Sequence, residues 1–262
     1  MTARYAGLLV LAPFLLAGCG GGSRDAATTA AGPAGSATAS TDVGGEVTVL
    51  AAASLTRPLT ALAAAYEKAH PGTTVQLSFG SSTTLAQQVA QGADADLLAT
   101  AGTAALDQLG DVRPSETTTI ARNTLEIATP EDNPGGVRSL DDLAKEDVDV
   151  VLCASTVPCG KAADEVLAKA GVTANVVSRE VDVSATLAKV SLGEADAAVV
   201  YHSDVVSSQG KVAGVGIPPA QNTTLTYPLA RFGDDPAAAA FAAYLTGPQG
   251  LSALTAAGFL AP

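Results

Sequence analysis

From residue 46 onward the chain alternates short apolar runs with stretches in which apolar residues return every three or four positions. Residues 46–50, carrying Val47, Val49 and Leu50, read as a strand. Leu55, Leu59, Leu62 and Tyr66 then share one helical face, and Pro71 and Gly72 stop that helix. A second helix is predicted around Leu85 and Val89, ending near Gly92. Further strands are predicted at 74–79, 96–100, 124–129, 148–153, 175–178, 197–201 and 223–231. Helices are predicted around 140–145, 161–170, 185–192, 236–245 and 248–256. Repeated strand–helix alternation implies an α/β protein with mainly parallel sheets. Residues 20–45, by contrast, are Gly, Ala, Ser and Thr with almost no large apolar side chain, the composition of a flexible tether.

Composition sharpens this picture. Hydrophobic residues make up 47% of the chain and charged residues 15%, so most of its 262 residues can pack rather than stay disordered. That length suits two small lobes or one large domain. Trp is absent and aromatics are 4%, so the core has to be built from Ala, Val and Leu.

The first residues stand apart from this fold. Arg4 precedes an apolar stretch from Leu8 to Ala17, and small residues lead into Cys19. That is a signal peptide by length and flanks, too short for a membrane span. Leu16-Ala17-Gly18-Cys19 resembles the lipobox of bacterial lipoproteins, which implies cleavage after residue 18 and lipid on Cys19. The expected location is the outer face of the cytoplasmic membrane, with the acyl chain as anchor. The formal charge of −12 argues against nucleic acid and against charge-driven binding to anionic lipid. It also means that any bound anion must be held by local donors and not by the overall field.

If Cys19 carries lipid, Cys153 and Cys159 remain, close in sequence in an oxidising compartment. A disulfide closing one short loop is the economical reading, with two buried thiols as the alternative. A zinc pair is weaker still, because His70 and His202 are the only histidines and neither has ligand spacing to the cysteines.

The chemistry concentrates at four junctions that follow a strand and open a helix. They are Ala51-Ala52-Ala53-Ser54-Leu55, Phe79-Gly80-Ser81-Ser82-Thr83, the segment from Cys153 to Gly160, and Glu180-Val181-Asp182-Val183-Ser184. In open α/β sheets the ligand crevice lies at the carboxyl ends of the strands. Helix N-termini there present unpaired N–H groups and partial positive charge. Ser54 and Ser82 add hydroxyl donors. Any one serine, or Asp182, reads equally as a plain helix cap; several such ends aimed at one point make an anion site without formal charge.

These segments also carry a resemblance. Val49-Leu50-Ala51-Ala52-Ala53-Ser54-Leu55-Thr56 is similar to the opening strand and turn of the molybdate-binding proteins of ABC transporters. The stretch from Phe79 to Gln88 resembles that family's second signature. Gly92-Ala93-Asp94-Ala95-Asp96-Leu97, the segment from Val199 to Val205, and Gly247-Pro248-Gln249 follow in family order. The resemblance implies a two-lobed periplasmic-binding-protein fold of type II, each lobe a mainly parallel sheet flanked by helices. It implies one lobe from 46–122 plus 228–262, a second from 123–227, and ligand-driven hinge closure. Carried over, the oxyanion donors fall on the hydroxyls and N–H groups of Ser54 and Ser82, the N–H groups of Cys159 and Val183, and the phenol of Tyr201. Cys159 and the neighbouring His202 are less usual at their positions. His202 then reads as a surface group or one behind the site, and Arg57 as exposed.

The implied ligand is molybdate or tungstate, fully deprotonated near neutral pH, which accepts hydrogen bonds and donates none. A pocket of donors alone satisfies it, whereas a phosphate that keeps a proton would leave one buried group unpaired, at about 1–3 kcal/mol. Sulfate passes the same test and is the alternative ligand. The implied partner is a membrane permease; the protein is expected to be monomeric, with no cofactor, no directly coordinated metal and no catalytic residues. A serine hydrolase is the other rival, but no Gly-x-Ser-x-Gly elbow is present and histidines are scarce.

Overall fold

The computed structural model describes residues 44–262. The expected signal peptide, the expected lipidation site Cys19 and the expected tether up to residue 43 lie outside the described residues.

Strand β1 (Gly45–Ala52) alternates its buried side chains between two faces. Val47, Val49 and Ala51 enter one apolar cluster and Leu50 another. Helix α1 (Thr56–Ala69) covers the first face with Leu59, Leu62 and Tyr66. Helix α2 (Ser82–Ala90) covers the second with Leu85, Ala86 and Val89. Covering both faces explains why β1 reads as a nearly continuous apolar run. It pairs in parallel with β2 (Thr73–Gly80) and β3 (Leu97–Ala99).

The second half repeats the plan. Strand β5 (Val150–Cys153) lies parallel to β6 (Val176–Glu180) and β7 (Ala197–Tyr201). Helices α3 (Pro158–Ala170) and α4 (Val183–Ser191) follow β5 and β6. Strands β4 (Glu116–Pro130) and β9 (Thr224–Arg231) tie the halves together, paired antiparallel from Glu116 to Thr124 of β4. Beyond that, β4 turns to β7 and to β8 (Val212–Gly216). The strand order is β2-β1-β3-β9-β4-β7-β5-β6, with β8 beside β4. The fold is therefore a two-lobed α/β architecture in which each lobe has a parallel trio, and antiparallel pairing belongs to the linking strands. Helices α6 (Pro236–Thr246) and α7 (Pro248–Ala256) close the chain. Among the described residues no helix is long and apolar enough to cross a membrane.

Five features depart from the sequence reading. Strand β4 starts at Glu116, eight residues before the expected 124, because its first residues are solvent-facing threonines that show no apolar alternation. Helix α5 (His202–Ser207), of only six residues, and a 3₁₀ segment at Thr103–Leu109 are too short to show a period. Strand β8 is hidden by Gly214 and Gly216, which break its apolar run; a Cβ at Gly214 would displace the Glu126 carboxylate, 2.3 Å away. The helix expected at 140–145 is a 3₁₀ turn, Leu140–Ala144, started by a reciprocal Ser139–Asp142 capping box.

Candidate functional site

The carboxyl ends of β1, β2, β5, β6 and β7 converge on one hollow. Ser54, Ser82, Cys159, Val183 and Tyr201 all line it, and each is 1–5% exposed. The hollow is small and partly open to solvent. Among the described residues no lysine, arginine or histidine lines it.

Each wall exposes unused donors. Ser81 is the N-cap of α2, yet its side chain makes no capping bond, and Ser82 follows in the first turn. The plain-cap reading of this pair therefore fails. The Ser82 Oγ accepts from the Ala101 N–H at 2.9 Å, which leaves its own proton free to point elsewhere. Ser54 sits in the 3₁₀ turn Ala53–Leu55, with its Oγ 3.0 Å from the Tyr227 hydroxyl. Asn123 Nδ2 donates to that phenol oxygen at 3.4 Å and to Ser203 Oγ at 2.8 Å. Asn123 thus occupies one acceptor site of the Tyr227 oxygen, and either hydroxyl of the Ser54–Tyr227 pair can be the donor to the other. Burial raises the Tyr227 phenol well above its ordinary pKa, so this relay stays protonated.

On the other wall, Cys159 and Val183 stand in the first turns of α3 and α4, where backbone N–H groups lack partners within the helix. The N-cap of α4 is Asp182, whose Oδ1 accepts from Ala185 N at 2.9 Å. Asp182 is thus the cap the sequence suggested, and it also lines the hollow. Tyr201 ends β7, and burial pushes its phenol well above the ordinary range, so it remains a donor. Asp204 lies behind it, its Oδ2 taking the Tyr201 N–H at 3.0 Å. Burial raises the Asp204 carboxyl to about 7, with the negative charge of Asp182 adding to the effect.

Among the described residues three buried side-chain polar atoms have no hydrogen-bond partner, and two of them, Ser81 Oγ and Tyr201 Oη, belong to residues lining this hollow. Buried hydroxyls without partners are rare and costly, so an acceptor is expected there. Sequence reasoning missed Ser81, although it stands beside Ser82 in the same motif. It also missed the Asn123–Tyr227 relay, which joins positions far apart in the chain.

Other candidates lie outside. Arg57 is exposed and its Nη1 donates to the Ser207 carbonyl at 3.1 Å, joining α1 to α5. Thr83 likewise donates to the Thr156 carbonyl at 3.2 Å, joining the two halves on another side. His202 pairs through Nδ1 with Glu126 Oε2 at 2.7 Å and is not a lining residue. Cys153 and Cys159 form a disulfide.

Strand ends and helix starts around a small, donor-rich hollow are the arrangement of a solute-binding protein. Residues 47–260 match the family described as bacterial extracellular solute-binding protein. The chain belongs to that family. It is 35% identical over 246 residues to the molybdate-binding protein ModA of Mycobacterium tuberculosis, covering 92% of each chain. Its fold is similar to that of the periplasmic molybdate-binding protein of Azotobacter vinelandii, with a TM-score of 0.73, 21% identity and coverage of 82% and 99%. It is also similar to the sulfate-binding protein SubI of Mycobacterium tuberculosis, with a TM-score of 0.70, 20% identity and coverage of 82% and 86%.

Proposed function

We propose that this chain is the extracytoplasmic substrate-binding protein of an ABC importer and that it carries molybdate, or the similarly sized tungstate. The observation that carries the reading is the pair of buried, partnerless hydroxyls, Ser81 and Tyr201, on a hollow lined also by Ser54, Ser82 and two helix starts. A tetrahedral dianion with no proton accepts from all of them at once, and such charge-assisted bonds are strong in a dry site. The lobes are 46–122 plus 228–262 and 123–227, closing on the anion from both sides. A lipid on Cys19 holds the monomer at the membrane, where the closed form docks on its permease. The protein is a carrier and not an enzyme, and it needs no cofactor.

Sulfate is the second reading, supported by the shared fold with a sulfate-binding protein. Titration calorimetry with molybdate, tungstate, sulfate and phosphate separates the possibilities. Molybdate and tungstate are expected to bind tightly, sulfate weakly, and phosphate least, since Asp182 is the one carboxylate among the lining residues and its Oδ1 already accepts from the Ala185 N–H. Sulfate binding as tightly as molybdate would replace the ligand assignment, and silence across all four would end the oxyanion reading.

A further inference from the structure

We infer that the Cys153–Cys159 bridge, together with Thr186, positions the backbone donors of the second wall, so that oxyanion affinity depends on the oxidation state of this cysteine pair. The inference rests on the oxyanion reading above. Its starting point is where the two sulfurs stand. Cys153 is the last residue of β5 and Cys159 the second of α3, so the covalent bond fixes the first turn of α3 to the end of its own strand. Cys159 lines the hollow; Cys153 is wholly buried behind it.

The same sulfur reaches the neighbouring helix. Cys153 Sγ lies 3.3 Å from the Thr186 hydroxyl, which is itself wholly buried. Thr186 Oγ1 in turn donates to the Asp182 carbonyl at 2.9 Å, the peptide group that carries the Val183 N–H. One continuous contact path therefore joins the starts of α3 and α4, the two helices whose first turns face the anion. Arg179 braces it from β6: one guanidinium nitrogen donates to the Cys153 carbonyl at 2.9 Å and the other to Asp164 of α3 at 2.7 Å. Gly160 shows how close the turn lies to the loop it leaves, since a Cβ there would meet the Ala154 carbonyl oxygen at 2.0 Å. Donors that come from backbone can be aimed only by fixing backbone, and pre-organised donors bind more tightly because less ordering remains at binding.

The test compares oxidised protein with protein reduced by a water-soluble trialkylphosphine. The S–S bond breaks, each sulfur gains an electron and a proton, and the phosphine takes oxygen from water to become its oxide. After the phosphine is removed under anoxic conditions, molybdate and tungstate are titrated into both forms. A Cys153→Ser/Cys159→Ser double variant excludes direct thiol–metal chemistry. Reduced protein and double variant are expected to bind about three- to tenfold more weakly, with faster anion release. Thr186→Val should weaken binding in the oxidised state, and Thr186→Ser, which keeps the hydroxyl, should restore it. Melting of the ligand-free protein is followed in parallel. A lower melting point with unchanged affinity and release rate in the reduced form and in Thr186→Val would make the bridge a fold staple only and overturn the inference. An oxidised wild type that binds no oxyanion would overturn the functional reading itself. Should the reduced form unfold, equal affinity of Thr186→Val and wild type, both oxidised, still overturns the proposal.

Discussion

The two walls of the hollow are made by different chemistry. The first offers side-chain hydroxyls, two of them held from behind: Ser82 by the Ala101 N–H and Ser54 by the Tyr227 hydroxyl. The second offers the first-turn N–H groups of Cys159 and Val183, aimed by the placement of two helices. On that side Tyr201 contributes the side-chain donor. On one wall the identity of the residue decides the donor; on the other the path of the backbone decides it, and the residue is nearly free to vary.

The largest effect that could break this contrast is expected from Val183→Pro. Val183 is the first residue of α4, where proline is tolerated because the N–H there has no helical partner. Asp182 before it is extended, with φ −156° and ψ 177°, as a residue preceding proline must be. The helix should therefore form while the donor is lost. Affinity for molybdate should fall by about 1.5–3 kcal/mol, as for a hydrogen bond to a charged group. Calorimetry reads the loss and circular dichroism checks the fold.

Ser82→Ala is next. It removes a hydroxyl from the first wall and strips the buried Ala101 N–H of its acceptor. Binding should weaken by about 1–3 kcal/mol, with some loss of thermal stability from the orphaned amide. Unchanged affinity would remove Ser82 from the anion and leave it a support for Ala101 alone.

Asp204→Asn probes the second wall through pH. The carboxyl of Asp204 is raised by burial from 3.8 to about 7 in the folded protein. The folded state therefore holds a proton that the unfolded chain releases near its ordinary pKa of about 3.9. Folded protein binds more protons across that window, so the contribution of Asp204 to stability declines as pH rises from about 4 to 7 and is flat above. Asparagine keeps an oxygen for the Tyr201 N–H and carries no charge. Melting curves from pH 4 to 8 should show the variant lacking that part of the wild-type decline and gaining most, relative to wild type, above pH 7.

The contrast between the walls also explains what could be read in advance. Val47, Val49 and Leu50, and the period of Leu55, Leu59 and Leu62, placed β1 and α1 because both face the core. Ser54 and Ser82 were legible as hydroxyls at strand-to-helix turns. Cys159 and Val183 were reached only by resemblance, since a backbone donor leaves no mark in the choice of side chain. Asn123, Tyr227 and Thr186 act through partners 33 to 173 residues away, and no local pattern announces such pairs. Helix α5 and strand β8 escaped for another reason: one has only six residues, and the other is interrupted by Gly214 and Gly216.

The smallest expected effect on binding is the most telling counterpart to the proline variant. Val183 is 3% exposed, and its side chain packs in the main apolar cluster. Val183→Ala removes two methyl groups from that packing and should cost about 1–2 kcal/mol of folding stability. It leaves the N–H in place, so oxyanion affinity should stay within about twofold, well under 1 kcal/mol. A residue whose truncation to alanine leaves affinity untouched, while its replacement by proline lowers it, donates through its backbone. If alanine weakens binding as much as proline does, the valine side chain sets the position of the donor, and the second wall depends on residue identity just as the first does.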